Sequence, residues 1–567
     1  MNTDRFTMDV LREGFAAISD EMFVSLQRTS QSPIIYEVLD FAVGITDPAG
    51  ELVSQGNGIA GFLGPLGDAV KEVIARRIEL RPGDVIAAND PYAGGGTHLS
   101  DVALIRPIFA GGDGDEPGEL IGFAAGKGHW TEVGGKDPGS WTADSADVYA
   151  EGLQLPFVHA YRRGQPIDDI RAILAANSRL PEMVLGDLSA QAACLEVAER
   201  RLVEMCRRHG TATVRDAMRA VLQRSERLCR DTLAKIPHGV FSAADFTDTD
   251  GLGNGPFPVQ VRVQISQDGV RCDFTGSHAQ VPGPINCTWS GLVSGVRTVF
   301  KAITDPAEPA TDGWFRPLEI VCPEGNIFNA RRPAPVAAYF EATEMASDLV
   351  WHALQPAFPR LLPAGTFVSV CSTSLALTHP GTGEPTLLVE PQAGGWGASR
   401  EADGQHGLVS VGDGETYVIP VEVAEQRYGV RVERFGFDIV PGAGAGRRRG
   451  GRGLVREYRI CCDDALLTVA WGRHLYPPWG ADGGADGSPN YVEVLRDGRP
   501  AGPRFGKVSR MPLRRDDVVR LVTGSGGGSG DPREREPGRV LADLLDELIT
   551  AGEAADSYGY RSPERLR

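Results

Sequence analysis

Residues 89–139 run NDPYAGGGTHLSDVALIRPIFAGGDGDEPGELIGFAAGKGHWTEVGGKDPG and read as one β-hairpin carrying two histidines among carboxylates. The apolar runs DVALIRPIF (101–109) and GELIGFAAGKGH (118–129) flank a turn-forming loop, AGGDGDEP. Pairing Phe109 with Glu119 sets His129 opposite Leu99, with Asp101 a diagonal neighbour of His129 on the same face. A one-residue slip turns the whole set to the other face. In this register His98, Asp101 and His129 converge at one end of the hairpin. Imidazole and carboxylate are ligand types that manganese, zinc and iron share, and two histidines with one carboxylate leave coordination positions open for catalysis. The other reading is local, with His98 capping a glycine turn, Asp101 hydrogen-bonded in a loop and His129 packed beside Trp130. Spacing alone leaves both open.

Upstream, Asp40 lies in IIYEVLDFAVGITD (34–47), read as an otherwise apolar strand that turns at Asp47-Pro48-Ala49-Gly50 and returns through ELVSQ. A carboxylate inside such a strand is costly unless it is paired or metal-bound. Solvent-facing alternation between Leu39 and Phe41 is the alternative.

The 567-residue chain exceeds what one minimal core needs, so two to four structural units are expected. A net charge of −18 argues against nucleic acid and anionic membrane as partners. No apolar run reaches the roughly 18 residues of a membrane span. The opening MNTDRFTMDVLREGF has an early acid and no apolar core, unlike a signal peptide, so a cytoplasmic location is expected. Nine cysteines without a Cys-x-x-Cys pair read as reduced, mostly buried thiols.

The expected fold is mixed α/β (α+β) in four units. Residues 1–175 form an N-terminal metal-binding unit on the hairpin, opened by an amphipathic helix over 5–29 with Met8, Leu11, Phe15, Ile18, Met22 and Leu26 on one face. KEVIARRIEL (71–80) reads as a helix between the two hairpins. Residues 176–237 form a helical hairpin with Leu188, Leu195 and Leu202 in a stripe, closed by Pro237. Residues 238–365 form a central α/β unit, in which 259–277 alternates like strands and 288–304 reads as a helix. Residues 366–567 form a β-rich, glycine-rich unit ending in a helix over 539–559. Its glycine segments GGWGASREADG, GAGAGRRRGGRG and GSGGGSGDP lack the strand–loop–helix context of a phosphate cradle, so they read as turns and bulges.

At NDPYAGGGTHLSD followed by GHWTEVGG, the chain resembles the hydantoinase B/5-oxoprolinase family. DFTGSHAQVPGPIN (273–286), FRPLEIVCPEGNIFNARRPAPVAA (315–338), GGWGASREADG, GRRRGGRGLVREY and GSGGGSGDPREREP extend the resemblance, in the family's order, over nearly the whole length. The resemblance implies a B-type subunit working with an A-type, ATP-binding partner of actin-like fold in a hetero-oligomer. The partner phosphorylates a carbonyl or lactam oxygen, and the B subunit holds the metal-dependent centre. The implied ligands of one divalent ion fall on Asp40, His98, Asp101 and His129. Two departures bear on substrate and base. Many hydrolytic relatives carry a second histidine and Ala-Asp-Ile-Gly-Gly where this chain has Trp130-Thr131-Glu132-Val133-Gly134-Gly135. They also often carry a histidine where this chain has Gly61-Phe62-Leu63-Gly64. Glu132 is then the leading candidate base, since a carboxylate beside an activated water can take its proton, with a loop salt bridge as the alternative.

Three functions follow as expectations. The first is the metal-bearing subunit of an ATP-dependent cyclic amidohydrolase opening a hydantoin, lactam or 5-oxoproline-like ring. The second is a subunit of an acetone- or acetophenone-type carboxylase acting on a ketone. The third is an assembly subunit with a structural metal, against which a pocket at Phe62 and Trp130 argues.

Overall fold

Seven strands build the sheet that carries the hairpin: β1 (Phe41–Thr46), β2 (Leu52–Gln55), β3 (Val85–Ala88), β4 (Asp101–Ala110), β5 (Glu119–His129), β6 (Val158–Arg162) and β7 (Gln165–Pro166). Their order is β2-β1-β5-β4-β3-β6-β7, and every pair is antiparallel. This computed structural model describes residues 5–62, 64–112, 118–414 and 416–561. Leu63 and the part of the expected hairpin loop at 113–117 lie outside the described residues.

The hairpin register differs from the expected one. Ala110 pairs with Glu119 and Phe109 with Leu120; the register then shifts, so that Ile108 faces Gly122 and Asp101 directly faces His129. The one-residue offset at the loop and the bulge at Ile121 add up to two. Because side chains alternate with period two, the faces survive the correction.

β4 and β5 are buried on both sides. Helix α2 (Pro65–Ala75) and helix α3 (Pro181–His209) pack on them, helix α1 (Arg5–Thr29) packs on α3, β1 and β2, and helix α4 (Thr211–Leu233) follows α3 and touches α1 and β2. Leu188, Leu195 and Leu202 of α3 are fully buried, each contributing roughly 1.5–3 kcal/mol of apolar burial. Gln191 of α3 fixes the helix to the hairpin: its Nε2 donates to the carbonyls of Val102 (2.9 Å) and Gly126 (2.7 Å). Its Oε1 accepts from the Trp130 indole at 3.1 Å.

Three local expectations change. Residues Pro33–Tyr36 form one helical turn, and the strand begins at Phe41, so Asp40 stands just before the strand rather than inside it. Helix α2 starts at Pro65, a residue pre-organised for a first helical position, and ends before Arg77, whose φ is +53°. The C-terminal helix is two helices, Pro537–Leu545 and Ala551–Asp556. Glu547 at φ +55° breaks the run, and the Thr550 side chain caps the second helix at the Glu553 N–H.

In the middle of the chain, Phe257–Ile265 alternates buried and exposed along its length, one face on the core and one on solvent. Helices α5 (Trp289–Thr304) and α6 (Tyr339–Leu354) pack against each other, and α6 also covers this sheet. The C-terminal part adds a four-stranded and a five-stranded antiparallel sheet. The fold is therefore mixed α/β. Among the described residues no helix is long and apolar enough to cross a membrane. All nine cysteines are free thiols, and only Cys322 and Cys461 are not fully buried.

The glycine segments are more than turns. The loops around 394–408, 444–453 and 524–530 interleave backbone to backbone: Gly395 N–H donates to Gly524 O (2.9 Å), Gly451 N–H to Trp396 O (2.8 Å) and Gly526 N–H to Gly451 O (2.9 Å). A Cβ on Gly451 would lie 1.7 Å from Gln405 O, and one on Gly526 would lie 2.2 Å from Trp396 C. These glycines answer close approach, not backbone conformation. The buried Arg452, bidentate on Glu553, and Arg535, on Asp403 and Asp543, tie the terminal helices to this junction.

Candidate metal centre

The turn before β4 is set by Asn89 and Asp90. Asn89 donates to Leu99 O (2.7 Å) and Leu153 O (2.9 Å) and accepts from Leu155 N–H (2.6 Å), while Asp90 caps Tyr92 N–H (3.1 Å). His98 then points inward with its Nδ1–H donating to Ala337 O at 3.0 Å. Ala337 is itself fixed, because Glu151 accepts its N–H (2.9 Å) together with that of Val336. One nitrogen of His98 is thus committed, and Nε2 is the nitrogen turned toward the cavity.

That nitrogen faces Asp101 Oδ1 at 3.1 Å and His129 Nδ1 at 3.2 Å, and the last two atoms are 3.3 Å apart. All three residues are at most 2 % exposed. Thr97 donates its hydroxyl to the other Asp101 oxygen. Burial pushes the Asp101 carboxyl up, but the two imidazoles more than offset it and hold the group well below the usual carboxylate range. Burial, and the neighbouring His98, push His129 down, toward the neutral imidazole. An ionised carboxylate facing two imidazole nitrogens is the protonation state of a ligand set. Edges of 3.1–3.3 Å are those spanned by three donors on one ion with bonds of roughly 2.0–2.2 Å. The residues fit a divalent cation.

Asp40 approaches more loosely, with Oδ2 3.9 Å from His129 Nδ1. The Asp40 carbonyl accepts the His129 N–H at 3.0 Å, so the backbone holds the two residues together. Burial, with Asp101 and Asp413 nearby, pushes the Asp40 carboxyl well up. These four side chains line a cavity of about 40 Å³, room for roughly three waters. Its walls are Trp141, Tyr339 and Phe340, with Glu344 and Asp413 on the lining as well. The Trp141 ring lies 5.3 Å from that of His129, and the Tyr339 ring 5.0 Å from that of His98.

Glu132 is elsewhere. Its carboxylate accepts from Gly134 N–H (2.7 Å), Gly139 N–H (2.9 Å), Ser140 Oγ (3.2 Å) and Arg179 (3.0 Å), and it lines a separate surface pocket. The structure gives it the bonds of a loop salt bridge. Trp130 and Phe62 are not in the cavity lining either: Trp130 is held by Gln191, and Phe62 lies beneath the buried Lys127 ammonium at 5.5 Å. Sequence reasoning missed Trp141, Tyr339, Glu344 and Asp413. Only Glu344 carried a signal, an acid among Ala342, Met345 and Ala346 on the buried side of α6.

A model of the family described as hydantoinase B/oxoprolinase matches residues 4–532. The caprolactamase subunit beta of Pseudomonas jessenii is 29% identical over 99% of this chain and 96% of its own length. The crystal structure of the ATP-dependent caprolactamase from that organism superimposes with a TM-score of 0.91 at 27% identity, covering 100% of this chain and 98% of that one. A nucleotide-free acetone carboxylase shares the fold at TM-score 0.89 and 18% identity, over 98% of this chain and 79% of that one. With the match running from the first helix to the glycine junction, the chain belongs to the hydantoinase B/oxoprolinase family.

Proposed function

We propose that this chain is the metal-bearing subunit of an ATP-dependent enzyme that opens cyclic amides, working on a carbonyl oxygen phosphorylated by an A-type partner. The observation that carries this reading is the buried His98–Asp101–His129 triangle on the lining of an aromatic-walled cavity, in a chain of this family. His98, Asp101 and His129 would hold the ion, with Asp40 as fourth ligand; manganese, zinc and iron all suit the donors. When bound, such an ion supplies Lewis acidity at a carbonyl or water oxygen. The chain's own residues do the rest. Ala337 and Thr97 fix the orientation of His98 and Asp101, and Trp141, Tyr339 and Phe340 keep bulk water from the reacting carbon.

A partner is needed because the chain carries no phosphate-cradling lysine loop, and the "subunit beta" name of the caprolactamase relative points the same way. A ketone carboxylase is the second reading, favoured by the shared fold with acetone carboxylase. Co-expression with an A-type subunit tests both. About one divalent ion per chain is expected, together with lactam- or hydantoin-dependent ATP turnover that ignores bicarbonate. Bicarbonate-dependent turnover of a ketone would decide for the carboxylase. Full ATP-dependent activity from the single chain would overturn the two-subunit mechanism.

A further inference from the structure

The cavity has a second set of carboxyl groups that metal binding does not use. Glu344 on α6 and Asp413 on the 408–414 loop line it together with the imidazole triangle. Glu344 Oε1 accepts from the Ser410 hydroxyl (2.9 Å) and the Gly412 N–H (2.7 Å), and the Gly412 carbonyl accepts from Gly61 N–H (2.6 Å). The loop is therefore clamped from two sides just before Asp413. Glu344 Oε2 and Asp413 Oδ2 are both buried without a hydrogen-bond partner among the described residues. Glu344 is 2 % exposed and Asp413 is 9 % exposed. Leaving two buried carboxyl oxygens unpaired on a cavity wall is costly unless a ligand uses them.

We propose that Asp413 is the proton-transfer residue of this site and that Glu344 positions the loop that carries it; this rests on the ring-opening reading above. In the step, a water oxygen bonds to the ring carbon of the O-phosphorylated lactim, the C=N electron pair goes to nitrogen, and one water proton passes through Asp413 to that nitrogen. The second water proton follows the same route as the C=O bond forms and the ring C–N bond breaks, so the carboxylate is regenerated. The products are a free amine and an acyl phosphate, which a further water splits into carboxylate and inorganic phosphate. Asp413 suits this better than Glu344: the Ser410 hydroxyl serves both carboxyls, but Glu344 is also held by the Gly412 N–H. Burial pushes the Asp413 carboxyl up to about 7 and, with Asp413 beside it, the Glu344 carboxyl up to about 8. The first is matched to proton exchange near neutrality, and the second stays mostly protonated there. The groups facing this pair are Asp40, Asp101, His98 and His129 across the cavity, Tyr339 on α6, and Glu341 one helical turn before.

The test uses the full-length, metal-loaded chain and O-methyl caprolactim, a lactam whose oxygen is already alkylated and so needs no ATP partner. Asp413→Asn is expected to keep its metal and lose about 10²–10⁴-fold in kcat, with the acid limb of the pH profile gone. Glu344→Gln, which keeps an acceptor for Ser410 and Gly412 and replaces a group already protonated near neutrality, is expected to keep that limb and its midpoint and to lose less than about tenfold in kcat. An Asp413→Asn enzyme within about threefold of wild type, or one that keeps the acid limb, overturns the assignment. A metal-loaded wild type inert to the lactim ether counts instead against the ring-opening reading. In that event ¹³C-carboxyl-labelled aspartate decides for Asp413. A resonance absent from Asp413→Asn that titrates near neutrality and moves with added caprolactam upholds it, and a resonance indifferent to caprolactam overturns it.

Discussion

At the end of the hairpin, two imidazoles and a carboxylate bring donor atoms within 3.3 Å of one another in a space closed to solvent. Where 394–408, 444–453 and 524–530 meet, the contacting glycines are buried too, yet side chains are missing there and amides meet carbonyls directly. The first region concentrates unsatisfied polar atoms: His129 Nε2, Glu344 Oε2 and Asp413 Oδ2 have no partner among the described residues. The second meets mainly through paired backbone, with Arg448 Nε, Arg449 Nε and Ser525 Oγ its own buried atoms without a partner among the described residues. One gathers its unpaired atoms around a cavity, and the other closes backbone on backbone. Substitutions should therefore separate function from stability in the first region and be unable to do so in the second.

The largest expected effect is at the junction. Gly451→Val forces a Cβ to 1.7 Å from Gln405 O, and backbone cannot swing aside as a side chain can. We expect no folded protein by circular dichroism and a cooperative transition that is absent rather than shifted. A folded Gly451→Val chain would break the contrast at once.

His129→Ala comes next. It should abolish metal binding, read by elemental analysis, while the metal-free protein melts within a few degrees of metal-free wild type. Global unfolding of this variant would mean that the centre is structural and that the two regions do the same job.

A third test uses pH. The folded-state pKa values of Glu344 (about 8), Asp413, Glu341 and Glu151 (each about 7) are raised, chiefly by burial. Such groups bind more protons folded than unfolded between roughly pH 4.5 and 8, so stability is fully present below that window and falls as pH rises through it. The metal-free chain should lose a few kcal/mol across this range in denaturant titrations. Glu344→Gln should flatten the slope, and an unchanged slope would remove Glu344 from the account.

The smallest effect is expected at Glu132. Glu132→Gln removes the charge from a pair whose arginine, Arg179, is 43 % exposed. Metal content and turnover should stay near wild type while the melting temperature drops by a few degrees, because Glu132 is fully buried and an amide in its place turns a donor toward the Gly139 or Gly134 N–H. A lost chemical step would restore Glu132 to the reaction and undo the present placement of the base.

The same contrast explains what could be read beforehand. His98, Asp101 and His129 announce themselves because their chemistry is in the side chain and the hairpin that joins them is local in sequence. The bulge at Ile121 could not be read, because it depends on how β1 and β4 grip β5 from either side. Asp413 was invisible for another reason: SVGDGE looks like any polar loop until α6 and Gly61 clamp it over the cavity. Glu132 misled because a sequence neighbour of a ligand need not be a spatial one, and the chain turns away at Trp130. The glycine loops were legible as abundance, but a residue without a side chain carries no mark of what it touches.

The junction also sets an order in time. Its three loops come from widely separated stretches, and the last, 524–530, leaves the ribosome long after the hairpin can pair. Contacts of such long sequence separation are slow to form. The hairpin can pair during synthesis, whereas the His98 Nδ1–H bond to Ala337 O and the cavity side lined by α6 and residues 412–413 wait for later chain. The imidazole triangle is therefore a late feature of folding, finished only when chain more than 200 residues beyond the hairpin has arrived.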